Sequence, residues 1–210
     1  MLGLGYRFRR STIEATVFSG QSIRWPLPLH SPDSYSVRLL HSIDNHISVG
    51  ASYADVLLPE ATGPSEHHRF VSGWLASSHQ IGELGLRSSI IWAQERTAGS
   101  RPLNSFLGEL FFHGRMNNFY GRAEVLQITP DQLELVPASG NPEPRWAEAL
   151  TLGYERSVFL DDRLSLFVGG SYTRDFIPAA YQASYGSNLQ GIKVYLRMTI
   201  DTSPSRGTLR

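Results

Sequence analysis

Cysteine is absent from the 210 residues, which excludes a disulfide framework, a thiolate metal site and a cysteine nucleophile. No stretch approaches the roughly 18 consecutive apolar residues of a transmembrane helix, so a helical membrane protein is excluded as well. Neither charge is in surplus: Lys and Arg total 19, Asp and Glu total 19, and the basic residues are scattered. That removes the electrostatic footprint nucleic acid requires. Glycine-rich phosphate loops are missing, because Gly3 and Gly5 open a strand rather than join a strand to a helix. No blade motif recurs at about 40 residues, which argues against a propeller. Met1-Leu2-Gly3-Leu4-Gly5-Tyr6 reads as the start of a strand rather than as a secretion leader, so the export signal is expected in a preceding portion of a longer protein.

What the chain has is a rhythm of connections. About eleven strand-like stretches are joined alternately by short polar turns and by long loops rich in Pro, Gly and Ser. The short joints fall at Arg9-Arg10-Ser11, Ser42 to Asn45, Ser78-His79-Gln80, Gly114 to Asn117 and Leu160-Asp161-Asp162. The long ones run from Gly20 to Asp33, Asp55 to His67, Arg96 to Asn104, Thr129 to Arg145 and Arg174 to Gln190. Brief turns at one rim and long loops at the other are the mark of an antiparallel transmembrane β-barrel. A soluble sandwich has no reason to segregate its loops by length.

The stretches alternate with period two. Ile192, Val194, Leu196, Met198 and Ile200 oppose Lys193, Tyr195, Arg197 and Thr199; Ile47, Val49, Ala51 and Tyr53 oppose His46, Ser48, Gly50 and Ser52. The same pattern sets Leu84, Leu86, Ile90 and Trp92 against Glu83, Gly85, Arg87 and Ser89, and Phe119, Gly121, Ala123 and Val125 against Asn118, Tyr120, Arg122 and Glu124. Mean hydropathy is slightly negative, as expected when every second strand residue faces a polar lumen. The strands read as about nine to thirteen residues long, and a strand tilted near 45° needs about 9 to 11 to cross the hydrocarbon layer. Aromatic residues gather near the expected strand ends: Tyr6, Phe8, Phe18, Tyr35, Tyr53, Trp92, Phe111, Phe112, Phe119, Trp146, Tyr154, Phe159, Tyr172 and Phe176. Such rings favour the headgroup level and form interfacial girdles.

If the short turns face the periplasm, the last strand descends from Gln190 to Ile200, and counting back places the start of the first strand outside. Bacterial single-chain barrels have an even number of strands. The expectation is therefore that residues 1–200 are the C-terminal part of a larger barrel, followed by a polar tail over 201–210.

The run Ala183-Ser184-Tyr185-Gly186-Ser187-Asn188, followed by Gly191 to Ile200, resembles the end of a group of uncharacterised Gram-negative outer-membrane β-barrel proteins. These close with a tyrosine-glycine-serine-asparagine loop and an alternating final strand. The similarity extends through Leu2 to Arg7, Asp33 to Leu39 and Gly121 to Glu124. It implies a porin-like barrel in the bacterial outer membrane, with membrane lipid, lipopolysaccharide and the barrel-assembly machinery as partners. Final strands of such barrels usually end in an aromatic residue, whereas this one ends at Ile200.

A barrel of about 12 or more strands is wide enough to hold water, and charges on its inner face would set solute preference. Arg38, Glu83, Arg87, Glu109, Arg122, Glu124, Glu155, Arg163, Lys193 and Arg197 are the lumen-lining candidates. They could equally neutralise one another and fill the lumen. His46-Ile47-Ser48 puts a histidine and a serine on one strand face, the minimum for a lipid hydrolase, but both are expected inside rather than toward lipid. His67-His68 beside Glu66 falls in an expected outer loop; imidazole and carboxylate suit a transition metal, yet adjacent histidines on extended chain point apart. No catalytic residue, metal or cofactor is expected. The apolar loop segments Leu133 to Pro144 and Phe176 to Tyr181 could narrow the mouth, dock on a partner or pack on their neighbours.

Overall fold

A computed structural model describes residues 1–19, 32–58, 66–130, 143–160 and 164–200. Eleven strands make a single antiparallel sheet in strict sequence order. They are β1 (Leu2–Phe8), β2 (Ser11–Phe18), β3 (Ser34–Ser42), β4 (Ile47–Leu58), β5 (Glu66–Ile81), β6 (Leu84–Thr97), β7 (Leu103–His113), β8 (Asn117–Ile128), β9 (Arg145–Leu160), β10 (Leu164–Phe176) and β11 (Leu189–Ile200). Each strand pairs only with its sequence neighbours, so β1 and β11 are open edges. The sheet is the wall of a transmembrane barrel that these eleven strands do not close. Strand lengths range more widely than the expected nine to thirteen: β1 has 7 residues, whereas β5 and β9 have 16 each.

The register separates two faces. On one face the ladder runs Leu4, Ala15, Val37, Tyr53, Val71 through the first five strands, and Leu110, Gly121, Leu152, Tyr172, Ile192 through the last five. Most of these positions are uncovered and none is buried: Leu152 is 57% exposed and Ile192 81% exposed. Among the described residues the only buried apolar ones besides glycine are Pro130, Ala147 and Tyr181. A sandwich would bury one face of such a sheet, so this apolar surface is the part that meets lipid.

Two aromatic girdles bound it. Tyr35, Tyr53, Trp92, Phe106, Trp146, Tyr172 and Phe176 lie toward the long-loop end of the apolar face, and Tyr6, Phe8, Phe112, Phe119, Tyr154 and Phe159 toward the short-turn end. Phe119 and Tyr154 touch, with centroids 4.9 Å apart. Phe18 and Phe111 depart from the expectation, because Phe18 pairs with Ser34 and Phe111 with Arg87 and Tyr120 on the opposite, polar face. A bulge between Leu166 and Phe167 skips Val158 and returns Phe159 to the outer face.

Four of the five short turns fall within the described residues, and they share one rim. Asp44 closes the turn after β3 by accepting the N–H groups of His46 and Ile47 at 2.6 and 2.7 Å. Arg10 ties the first turn to this one through the carbonyl of Ile43 at 2.7 Å. The turn expected at Ser78 to Gln80 lies further on, at Gly82 and Glu83, because β5 continues to Ile81. Gly82 has φ +62° there, a conformation that costs glycine nothing. Asp161 and Asp162 of the last expected turn lie outside the described residues.

At the other rim the segment after β10 forms a 3-10 turn, Ala179–Tyr181, and a short helix α1, Gln182–Tyr185. Tyr181 is 4% exposed and donates its hydroxyl to the carbonyl of Ile128 in β8 at 3.3 Å. The loop therefore packs back across the top of β9, and burial raises the Tyr181 phenol above its ordinary value of 10.0.

Candidate functional site

The polar face is the candidate site. Glycines let large side chains lie flat on it. Gly50 pairs directly with Trp74, Gly85 with His113, Gly153 with Tyr120 and Gly169 with Tyr195. In each pair the aromatic ring fills the space a glycine β-carbon would need. These rings widen the apolar contact within the wall while their polar edges remain inside.

The charges pair along this wall. Arg38 lies 3.7 Å from Glu14 of the neighbouring strand, and Arg122 contacts Glu109 at 3.7 Å and Glu124 at 2.7 Å. The tightest group centres on Glu155, which is 4% exposed. It accepts from the Nε of Arg197 at 2.9 Å, from an Nη of the same guanidinium, and from the amide of Asn118 at 2.8 Å. A fork geometry of this kind matches guanidinium to carboxylate. Arg197 also stacks over Phe167 at 4.2 Å, and Lys193 lies 5.7 Å from the centroid of Tyr195.

Two clefts open on the same face. One of about 500 Å³ is lined by Phe111, Tyr120, Glu155, Lys193, Tyr195, Leu196 and Arg197. The other, of about 400 Å³, lies nearer the short turns and brings Asp44, His46, Ser48, Ser78, Arg87, Ser89 and Glu109 together. There Ser89 donates to Glu109 at 3.2 Å. Arg87 makes no hydrogen bond or ion pair among the described residues.

Of the ten lumen candidates, Arg38, Arg87, Glu109, Arg122, Glu124, Glu155, Lys193 and Arg197 fall on this polar face by register. Glu83 does not: it stands in the two-residue turn after β5, at the rim. Arg163 lies outside the described residues. Glu14 and Asn118, which complete two of the clusters, were not among the candidates. The same alternation carries them, since Glu14 lies between Ile13 and Ala15 and Asn118 precedes Phe119.

His67 and His68 lie in β5 rather than in a loop, and they point apart. His67 meets Asp55 on the apolar side at 2.5 Å; His68 meets Glu95 on the polar side at 2.7 Å. Among the described residues no group of three His, Asp or Glu side chains could hold a metal ion. His46 donates its Nδ1 hydrogen to the carbonyl of Ser78 at 2.9 Å and stacks on His79. No hydrogen bond joins it to Ser48 among the described residues. Of the apolar loop segments, residues 131–142 lie outside the described ones, and the stretch ending at Tyr181 packs on the wall as described above.

No protein-family model matches the chain, and no curated protein matches it. Two solved structures of OmpT, an outer-membrane protein of Vibrio cholerae, are similar to it. The outer-membrane-expressed form superposes with a TM-score of 0.51 at 6% identity over 94% of this chain; the in-vitro folded form gives 0.49 at 8% identity over 95%. This chain spans 63% and 59% of those two chains. The former likeness is one of fold alone, and the fold is that of an outer-membrane β-barrel.

Proposed function

We propose that this chain forms part of the wall of a porin-like passive channel in the bacterial outer membrane, conducting ions or small polar solutes without catalysing a reaction. The observation that carries the reading is the direction of the inner-face ion pairs. Each joins strands at most two positions apart, so the charges line the wall instead of bridging the lumen. A closed barrel must contain these eleven strands and more. Eight strands leave an interior just filled by side chains, and larger barrels hold water. Among the described residues Arg87 has no hydrogen-bond or ion-pair partner, so its positive charge stays available on the inner face to bias solute preference. Contact with outer-membrane lipid and lipopolysaccharide, and delivery by the barrel-assembly machinery, follow from this reading.

Planar-bilayer conductance of the full-length protein tests it, comparing wild type with Arg87→Glu. Conductance steps whose reversal potential moves toward cation preference support the channel. Silent bilayers containing a folded, inserted barrel would overturn it and favour the second reading, a structural or binding barrel. That reading draws on the closely packed cluster of Glu155, Arg197, Asn118 and the tyrosine rings on the inner face.

A further inference from the structure

Arg69 and Arg96 are directly paired across β5 and β6, on the apolar face, at its long-loop end. Like charges placed opposite one another in a sheet repel. Both are exposed, and each is held only at its inner nitrogen: the Nε of Arg69 donates to Asp55 at 3.4 Å, and the Nε of Arg96 donates to Gln94 at 2.6 Å. The four terminal Nη groups have no partner among the described residues. Asp55 is 8% exposed and already shared with His67, so it offsets Arg69, and among the described residues no carboxylate pairs with Arg96.

We propose that Arg69 and Arg96 form a clamp for a phosphate of lipopolysaccharide. The position selects a lipid: both residues project on the lipid-facing side, Arg96 standing two pleat repeats beyond Trp92 of the aromatic girdle, with Gln94 between them. A guanidinium pair fixed at Nε presents Nη groups as a fork to phosphate oxygens, and the anion relieves the repulsion between them. The choice of lipopolysaccharide over phospholipid rests on the proposed outer-membrane channel with its short turns at the periplasmic rim and its long loops outward.

The test is native mass spectrometry of the full-length barrel in neutral detergent. Bisphosphorylated lipid A, its dephosphorylated form and phosphatidylglycerol are offered in turn. The expected result is retention of bisphosphorylated lipid A that weakens about tenfold or more in Arg69→Gln/Arg96→Gln, since charge-assisted hydrogen bonds are lost. Arg69→Lys/Arg96→Lys, which keeps the charge without the fork, should fall between. Equal retention by the glutamine variant, or of the dephosphorylated lipid, overturns the clamp. Equal retention of phosphatidylglycerol overturns lipopolysaccharide as its occupant. Heat-dependent gel mobility verifies that each variant is folded. A folded barrel that binds lipid A but is silent in bilayers separates failure of the channel from failure of the clamp.

Discussion

The ring of Tyr120 occupies the place where Gly153 would carry a β-carbon, so a methyl group there would overlap Cζ of the ring. An alanine at Gly153 must expel the tyrosine from the wall or shift the strands apart. Gly153→Ala should therefore destabilise the barrel by about 1–3 kcal/mol, the usual cost of overpacking. Gly108, whose β-carbon would meet nothing within 4 Å, is the control and should tolerate alanine. Urea unfolding in liposomes, followed by gel mobility, distinguishes the two.

Arg197 and Glu155 give a second expectation. Removing the guanidinium in Arg197→Ala leaves a carboxylate that is 4% exposed with only Asn118 to satisfy it. About 1–3 kcal/mol of stability should be lost, less than for a fully buried pair because the arginine itself is 47% exposed. A double-mutant cycle with Glu155→Gln should return most of that loss as coupling energy; additive losses would show that the two side chains act independently.

Adjacent positions in β9 should respond in opposite ways to the same substitution. Leu152 is on the lipid face and Thr151 on the lumen face. Arginine in mid-membrane on a barrel exterior costs about 2–4 kcal/mol, so Leu152→Arg should impair insertion into vesicles while Thr151→Arg inserts. Impaired insertion of Thr151→Arg instead would mean that the faces are the other way round, and equal insertion would mean that Leu152 does not face lipid.

The turn carboxylate Asp44 is held below its ordinary pKa of 3.8, first by the N–H of His46 and then by that of Ile47. A depressed carboxylate contributes stability above its unfolded pKa and loses it as pH falls through the folded one. The stability difference between wild type and Asp44→Ala should accordingly be constant at neutral pH and shrink below about pH 4, the unfolded carboxylate range. Unfolding midpoints measured from pH 7 to pH 3 provide the check.

Much of this was legible from residue alternation alone. Ile192 to Ile200 alternates so strictly that β11 and its two faces follow directly, and the polar triplets at the strand joints place most turns. Ser78-His79-Gln80 misled because polar residues suit the end of a long strand above the membrane as well as they suit a turn; the backbone signal was Gly82, four residues beyond Ser78. His67 and His68 read as loop for the same reason, since both lie where β5 rises past the apolar belt. The aromatic lids on glycine were beyond reach, because Tyr120 and Gly153 meet only once register is known. The pairing of Arg69 with Arg96 required the same knowledge.

The strict nearest-neighbour order of the strands also bears on how the sheet can be made. Every pairing closes only the turn or loop between two consecutive strands, so no step has to wait for distant segments of chain to find each other. Construction can proceed hairpin by hairpin, each finished strand offering its free edge as the template for the next. The same serial logic transmits mistakes, because a slip of one residue at any hairpin exchanges inside for outside in all the strands laid down after it.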